Sequence, residues 1–440
     1  MDVVIKIAQL ILSLSILVIF HEFGHYAFAK LFKTRVEKFY LFFDPWFSLF
    51  KFKKGETEYG VGWLPLGGYV KISGMIDESM DKEQMKQPAQ PWEFRSKPAW
   101  QRLLIMLGGV MVNFILAGLI YIAVLFVWGE DYLPVQNAKH GINADSIAHN
   151  IGFQDGDKIL TINGNTPERF TQIVPQILLN TPAEITLDRN GRTEKLTITD
   201  SHIAEIIRSN GKSQIITPRM LFVADSILPG SNADKAGIKK GDRFVAINGQ
   251  KAEYYDQYTA YFSKNPNKST QISLMRNNDT VKLTLSPDES GRIGVVTNMG
   301  KQFEFAHKNY TAFQAVPAGL NKGVKQTKDY LKQFKLMFKP ETEAYKSLGS
   351  FITIGNLFPG LWDWQSFWLL TAFLSIILGV VNILPIPALD GGHVMFVLYE
   401  MITGRKPGDK FLEYAQLVGF VLLISLLIFA LRNDVVNNFF

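Results

Sequence analysis

Four long apolar runs constrain this 440-residue chain more strongly than any other feature of its sequence. An α-helix needs about 20 mainly apolar residues to cross the hydrocarbon core of a bilayer, which is about 30 Å thick. We therefore predict four transmembrane helices. The apolar runs cover Val3 to about Lys30, Leu103 to Trp128, Phe367 to about Leu384, and Leu417 to Leu431.

A cleaved secretory signal peptide is the alternative interpretation of the first run, because residues 27–29 have the small-x-small pattern of a cleavage site. The apolar part is too long for a signal peptide, and Asp2 lies where such peptides are positively charged. His21, Glu22 and His25 also lie within the run. We therefore favour a membrane span.

Basic residues lie mainly on one side of the predicted spans. Twelve lysines and arginines fall within residues 31–102 and three within 403–416, whereas 129–138 and 354–366 contain none. Loops rich in Lys and Arg stay in the cytoplasm, so both termini and the segment between spans two and three should be periplasmic. The same bias accounts for much of the net charge of +6, and nucleic acid is not an expected partner.

An internal repeat occupies the long segment between the second and third runs. Residues 146–164 recur at 231–249, and each copy has a Gly-Asp turn, a strand and an Ile-Asn-Gly turn. Both copies resemble the PDZ domain, so we predict two tandem α+β PDZ domains in the periplasm, at 129–220 and 221–305. PDZ domains bind extended peptides or chain termini by adding a strand to a sheet edge.

A connector, residues 306–365, follows the repeat and contains apolar residues at helical spacing separated by lysines. This pattern predicts an amphipathic helix that leads back to the membrane, with packing as its favoured role. The apolar residues are Phe313, Val316, Leu320, Val324, Leu331, Phe334 and Phe338.

The first run contains an H-E-x-x-H motif at His21, Glu22 and His25. Histidines at positions i and i+4 share one face of a helix and can bind one metal ion, and the Glu beside them can take a proton from an activated water. Because the chain has no cysteine, metal ligands must be His, Asp or Glu. Ionisable groups within a span are functional candidates by default, and a polar cluster solvated by head groups is the alternative.

A catalytic zinc site with two histidines needs a third protein ligand and an open position. The third run ends in a stretch with Asn382, Pro385, Pro387 and Asp390, followed by two glycines. The prolines should break the helix, so that the Asp390 carboxylate can turn inward at a depth similar to that of His21.

These two motifs together resemble the site-2 protease family of intramembrane zinc metalloproteases, and the resemblance extends over nearly the whole chain, including residues 65–71 and 113–114. It implies that His21, His25 and Asp390 bind one catalytic Zn2+ and that Glu22 is the general acid and base.

The resemblance also suggests substrate-binding residues. Asn382 and Pro385 would contact the substrate, although Asn382 in a broken helix can instead satisfy freed backbone groups. Residues 58–73 predict a β-hairpin around a Pro-Leu-Gly-Gly turn, and the family has a membrane re-entrant β-loop at this place. The edge of that loop would pair with an unwound substrate, which makes Gly67, Gly68 and Tyr69 candidates. An ordinary loop hairpin is the alternative.

Two stretches depart from the family pattern. The family often has Gly-Pro in span two, where this chain has Gly108 and Gly109. The family usually has Gly-Pro-Ile before span three, where this chain has Gly349, Ser350 and Phe351 followed by Ile. Both departures concern local helix geometry, and neither affects a predicted ligand.

Taken together, the sequence predicts a multi-pass protein of the bacterial inner membrane with a four-helix metalloprotease core. The resemblance to the site-2 protease family implies regulated intramembrane proteolysis of membrane proteins, with an anti-sigma factor already trimmed by another protease, and signal-peptide remnants, as substrates. A membrane-anchored PDZ scaffold with a vestigial metal site is the alternative, and a metal transporter is disfavoured because the halves show no hydropathy repeat. The predicted segments are the spans 1–30, 103–128, 366–402 and 417–432 and the cytoplasmic loops 31–102 and 403–416.

Overall fold

The computed structural model describes residues 2–65, 67–75, 87–209 and 214–439. The chain forms two compact units. The first combines residues 1–129, 309–338 and 345–440, and the second combines 130–308 with 339–344.

The α-helices share one numbering along the chain, and so do the strands. The helices are α1 Asp2–Leu31, α2 Ala99–Trp128, α3 Ser146–Ile151, α4 Ile173–Leu179, α5 Asp200–Arg208, α6 Asn232–Lys235, α7 Tyr255–Lys264, α8 Met299–Gln302, α9 Ala312–Met337, α10 Phe351–Leu357, α11 Trp364–Asn382, α12 Asp390–Thr403 and α13 Asp409–Phe439. The strands are β1 Val36–Leu41, β2 Phe43–Lys54, β3 Thr57–Leu64, β4 Tyr69–Ile72, β5 Glu130–Tyr132, β6 Ile142–Ala144, β7 Lys158–Ile162, β8 Ala183–Arg189, β9 Arg192–Ile198, β10 Ile216–Pro218, β11 Ser226–Ile227, β12 Arg243–Ile247, β13 Gln250–Lys251, β14 Thr270–Arg276, β15 Asp279–Leu285, β16 Val295–Val296 and β17 Ala306–Lys308.

Four helices in the described part of the chain, α1, α2, α11 and α13, are long and apolar enough to cross a membrane. The prediction of four apolar spans is confirmed. Helix α13 is much longer than the predicted 417–432, and only residues 404–408 separate it from α12. Polar residues on both sides of the apolar run continue the helix, and an apolar window cannot detect them.

Helix α2 lies at the centre of the first unit and packs against α1, α9, α11 and α12. Two glycines bring the backbones of α1 and α2 into contact, because a Cβ atom on Gly24 would lie 2.2 Å from the carbonyl oxygen of Gly108. Small residues allow this close approach between membrane helices, where van der Waals packing drives association. The contact holds the H-E-x-x-H turn of α1 directly against α2.

The loop after α1 forms a four-stranded sheet with the order β2-β3-β1-β4. The predicted hairpin between β3 and β4 is wrong, because β1 lies between them, parallel to β3 and antiparallel to β4. The hairpin that does form joins β2 to β3 through a turn at residues 55–56. The pattern in the sequence showed strands but could not show their partners, since β1 inserts from earlier in the chain. As a result β4 is an edge strand.

The third span is interrupted between α11 and α12, as the two prolines predict. The connecting residues turn back over the first turn of α12, where a Cβ on Gly391 would lie 2.2 Å from the carbonyl oxygen of Leu384. Asp390 is the first residue of α12, and the tight loop before it fixes the position of its Cα atom.

The C-terminal end of α13 is joined to the segment before α11 by one buried carboxylate. Asp434 accepts hydrogen bonds from the backbone N–H of Ser350 at 2.9 Å and of Thr353 at 3.2 Å, and from both hydroxyl groups. The carboxylate thus caps α10, whose first N–H groups have no partner within the helix. Ser350 stands where the family pattern has proline, and it supplies two of these donors.

The connector helix α9 packs against α2 with small residues. Ala315 and Gly319 are its buried positions, and a Cβ on Gly319 would lie 2.6 Å from the backbone of Ile122. The predicted apolar residues of this helix are largely exposed, with Phe313 94% exposed. Close helix contact requires small side chains, so most of the large apolar ones stay exposed, although the end of the Leu320 side chain lies near Gly118 of α2.

The two repeat copies in the second unit have the same local structure. In each copy a short helix, α3 or α6, precedes a strand, β7 or β12, that pairs with an antiparallel hairpin, β8-β9 or β14-β15. The strand before the helix also pairs with a later strand, as β6 with β10 and β11 with β16.

Each copy also contains a buried Asp paired with an Arg on the hairpin. Arg189 binds both carboxylate oxygens of Asp157 at 2.7 and 2.8 Å, and Arg276 binds those of Asp242 at 2.6 and 2.7 Å. Burial raises the pKa of Asp242, but the hydrogen bonds and charge of Arg276 outweigh it, and the pKa lies below its ordinary value. The Asp of the repeated Gly-Asp turn therefore has a structural role in each copy.

Candidate active site

The candidate site lies where α1, α2 and the first turn of α12 meet. His21 and His25 are successive on one face of α1, and they are only 8% and 6% exposed. Helical spacing of i and i+4 brings the two imidazoles together, and the break in span three brings Asp390 to them.

Three atoms form an almost equilateral triangle at this site. The Nε2 atoms of His21 and His25 are 3.3 Å apart, and each lies 3.3 Å from Oδ2 of Asp390. A tetrahedral zinc site with bonds of about 2.0–2.1 Å has neighbouring ligand atoms about 3.3–3.4 Å apart. The triangle therefore has the dimensions of one face of a zinc tetrahedron.

The surroundings of His25 and Asp390 also fit a metal. The Nδ1 atom of His25 lies 2.8 Å from the carbonyl oxygen of Ile105, so it carries the proton and leaves Nε2 free as a ligand. Oδ2 of Asp390 is buried and has no hydrogen-bond donor among the described residues. An acceptor without a donor in a buried place is costly unless a cation occupies the space in front of it.

Glu22 faces a cavity of about 890 Å³ that it lines together with both histidines and Asp390. The backbone of Val70, in edge strand β4, hydrogen-bonds the Glu22 carboxylate. Gly68 approaches closely, since a Cβ there would lie 2.6 Å from Val18 and 3.3 Å from the Glu22 side chain. The sheet edge therefore lies beside the glutamate of the motif.

The other candidate residues differ in their relation to the cavity. Gly67, Gly68, Tyr69 and Asn382 line it, and the Nδ2 atom of Asn382 lies 3.3 Å from Nε2 of His21. Pro385 lies in the break between α11 and α12 and is not among the described residues that line the cavity.

His393, one turn into α12, lines the cavity but does not belong to the group of three ligand atoms that the described residues form. The fourth position of a catalytic zinc site is left for water.

Sequence reasoning did not find the residues that α2 contributes to the site, and the expectation that Gly109 does not affect a ligand is wrong. Nδ2 of Asn113 lies 3.0 Å from Nδ1 of His21, and a Cβ on Gly109 would lie 2.4 Å from Nε2 of His25. A usable signal was the four-residue spacing of Ile105, Gly109 and Asn113, which places them on one face of an apolar helix. On that face Ile105 offers its carbonyl oxygen, Gly109 leaves space for a side chain of a neighbouring helix, and Asn113 offers its amide group.

Comparison with known proteins agrees with this geometry. The model of peptidase family M50 matches residues 9–426 of the chain. The regulator of sigma-E protease RseP of Escherichia coli K12 is 27% identical over 455 residues, covering 97% of this chain and 98% of that protein. Protease RseP of Yersinia pestis is 27% identical, covering 99% of both chains.

A relative from Neisseria meningitidis that carries a zinc metalloprotease name is 28% identical over 449 residues, covering 97% of both chains. The family model covers most of the chain, including every residue of the candidate site. The chain therefore belongs to peptidase family M50, and it is a membrane-spanning zinc metalloendopeptidase of the site-2 protease type.

Proposed function

We propose that this protein cleaves peptide bonds within transmembrane segments of other membrane proteins, with His21, His25 and Asp390 as the zinc ligands and Glu22 as the general acid and base. The observation that carries this proposal is the triangle of 3.3 Å distances among the three ligand atoms, buried between membrane-spanning helices. A polar cluster at a helix end would have no reason to adopt the dimensions of a zinc site.

When bound, zinc would act as a Lewis acid that lowers the pKa of the attacking water and polarises the carbonyl group of the scissile peptide bond. Glu22 then takes the proton from the attacking water and passes it to the leaving amine. Its hydrogen bond to the backbone of Val70 holds the carboxylate at the cavity wall, between the ligands and the sheet edge. Asn382, near His21, is suited to hold a substrate carbonyl or to orient the Asp390 carboxylate.

The edge strand β4 offers the substrate a backbone partner. A peptide bond in a helix has its carbonyl engaged, so the substrate must be extended before attack, and an exposed strand can hold an extended segment by strand addition. Tyr69 and Val70 belong to β4 and lie beside Glu22, so a strand added there would pass the catalytic carboxylate. Gly68 lets the sheet edge lie close to α1, because a Cβ there would lie 2.6 Å from the Val18 side chain.

The two repeats of the second unit are proposed to be periplasmic PDZ domains. The second copy has a cavity of about 550 Å³ between α7 and the residues before β16, lined by Tyr255, Phe262 and Ile293 among others. An apolar groove beside a strand suits an extended peptide or a chain terminus. A bulky periplasmic domain would also exclude substrates whose own extracytoplasmic domains have not been trimmed.

Substrate and location are inferred from the relatives. The relative from Escherichia coli K12 is named regulator of sigma-E protease, so we propose an anti-sigma factor, trimmed first by another protease, as a substrate, with signal-peptide remnants as a second class. The distribution of Lys and Arg supports an inner-membrane protein with periplasmic termini and an active site in the cytoplasmic half of the bilayer.

The substitution Glu22→Gln tests the proposal, because it keeps the shape of the side chain and removes the base. Purified full-length protein in detergent should retain its zinc, measured by metal analysis, and lose cleavage of a single-span membrane reporter by about 100-fold or more. Glu56→Gln, in the exposed turn between β2 and β3, is the matched control and should cleave normally. Unchanged cleavage by Glu22→Gln would refute the role of Glu22 as general base, whereas absence of cleavage by the parent protein would favour a scaffold with a vestigial metal site.

A further inference from the structure

Asn113 in α2 has an amide group that the described residues satisfy on one side only. The residue is completely buried, and its Nδ2 atom lies 3.0 Å from Nδ1 of His21. Its Oδ1 atom is also buried and has no hydrogen-bond donor among the described residues. A buried amide oxygen without a donor is unfavourable in an apolar surrounding, so this half-satisfied arrangement calls for an explanation.

The chemistry of the histidine provides one. A neutral imidazole that binds a metal through Nε2 carries its proton on Nδ1 and is a donor there. The amide nitrogen of Asn113 is also a donor, so the observed contact suits only the form of His21 with its proton on Nε2. That form carries a proton on Nε2, so it cannot bind zinc through Nε2.

We propose that Asn113 is a positioning residue for the zinc ion, and that its Oδ1 accepts a hydrogen bond from Nδ1–H of His21 whenever Nε2 of His21 binds the metal. The amide turns by half a rotation about its last torsion, which exchanges oxygen and nitrogen without moving their surroundings. The turn pairs the oxygen that is otherwise unpartnered, and it holds His21 in the tautomer that binds metal. The inference rests on the ligand assignment in the proposed function.

The rest of α2 supports this role. His25 already has the equivalent partner, because its Nδ1 lies 2.8 Å from the carbonyl oxygen of Ile105. Ile105, Gly109 and Asn113 are spaced four residues apart and lie on one face of the helix. One helix thus provides an acceptor for each histidine, with space for both rings between the two acceptors.

Asn113 is itself held in position by the third span. The hydroxyl of Ser375 in α11 donates to the carbonyl oxygen of Asn113 at 2.8 Å, and a Cβ on Gly379 would lie 3.5 Å from its Cβ. The helix that leads to Asp390 therefore also supports the side chain behind His21. All three predicted ligands are positioned relative to the same face of α2.

The test compares Asn113→Leu with Asn113→Asp in purified full-length protein. Leu has a similar volume and no acceptor, so zinc affinity, measured by competition with a chelator, should fall by about 10- to 100-fold. Asp presents only acceptors, so it should retain the affinity of the parent protein or exceed it. The visible spectrum of the Co2+-loaded protein should change for Leu and stay close to that of the parent for Asp.

Thr371→Val is the matched control, because it removes another buried hydrogen bond between spans, from Thr371 to Ser13 at 3.0 Å, away from the ligands. Its zinc affinity should equal that of the parent protein. Parent affinity in Asn113→Leu, or an equal loss in Asn113→Asp, would overturn the inference. His25→Ala separates the two proposals: if that variant still binds zinc normally, the ligand assignment itself is wrong.

Discussion

Gly109→Ala is predicted to disable the site by displacing the histidines. The new methyl group would lie 2.4 Å from Nε2 of His25 and 2.6 Å from Cε1 of His21. Ordinary contacts between such atoms are about 3.5–4.0 Å, so the imidazoles must move by about 1 Å. A misplacement of about 1 Å in a catalytic site can reduce the rate by about 100-fold.

The same change should alter the free energy of unfolding much less. Alanine is favoured over glycine within a helix by about 0.8–1.0 kcal/mol, whereas overpacking costs about 1–3 kcal/mol. The two effects oppose each other, so we expect a net destabilisation of at most about 2 kcal/mol. Loss of activity should therefore be separable from loss of folding.

The assay measures zinc content, cleavage of a single-span membrane reporter and thermal unfolding of the same purified samples. Gly118→Ala is the matched control, because Gly118 lies on the same helix and, among the described residues, a Cβ there would meet only the flexible end of Leu320, at 3.3 Å. Gly118→Ala should cleave within about twofold of the parent protein. If Gly109→Ala binds zinc and cleaves as the control does, the histidines are not positioned by contact with α2, and the reasoning fails.

Two further predictions concern residues away from the ligands. Asp434→Ala removes the carboxylate that caps α10 and leaves buried hydrogen-bond donors without an acceptor. It should therefore lower the free energy of unfolding by about 2 kcal/mol. An unchanged melting temperature in detergent would contradict this prediction. The pKa of Asp242 is lower in the folded than in the unfolded protein, so its ionised carboxylate stabilises the fold. This stabilisation is complete above the unfolded-state pKa of about 3.9 and is lost as the pH falls through the lower folded-state pKa. Arg276→Met should reduce this loss of stability, measured as the difference between the free energies of unfolding at pH 7 and pH 3. An equal difference in the parent protein and the variant would show that Arg276 does not lower the pKa of Asp242.

Local sequence patterns predicted much of the candidate site because its key features are local. The i, i+4 spacing of His21 and His25 is enough to bring their rings together on any helix, and two prolines are enough to interrupt α11 before Asp390. The resemblance to the site-2 protease family then linked the two segments. Neither step required knowledge of how distant parts of the chain pack.

Predictions failed where the outcome depended on distant partners. A hairpin of β3 and β4 satisfies local turn chemistry, but β1 takes the place between them because strand pairing is decided by the whole sheet. The apolar stripe of α9 predicted a buried face, whereas close contact with α2 selects Ala315 and Gly319. Asn113 went unnoticed as a site residue because one polar residue in an apolar helix does not show which residue it will meet.

The sequence by itself determined that this chain spans a membrane, contains an internal sequence repeat and carries a His, Glu and Asp set typical of zinc peptidases. These features follow from hydrophobic periodicity and from residue spacing, which act over short stretches of chain. Only the tertiary structure decided that β4 is the edge beside Glu22 and that α2 contacts both histidines. Those relations arise from helix packing and strand pairing between segments that lie far apart in the chain. The close contact of Gly24 in α1 with Gly108 in α2 is one such relation, and it brings the histidines of α1 next to α2.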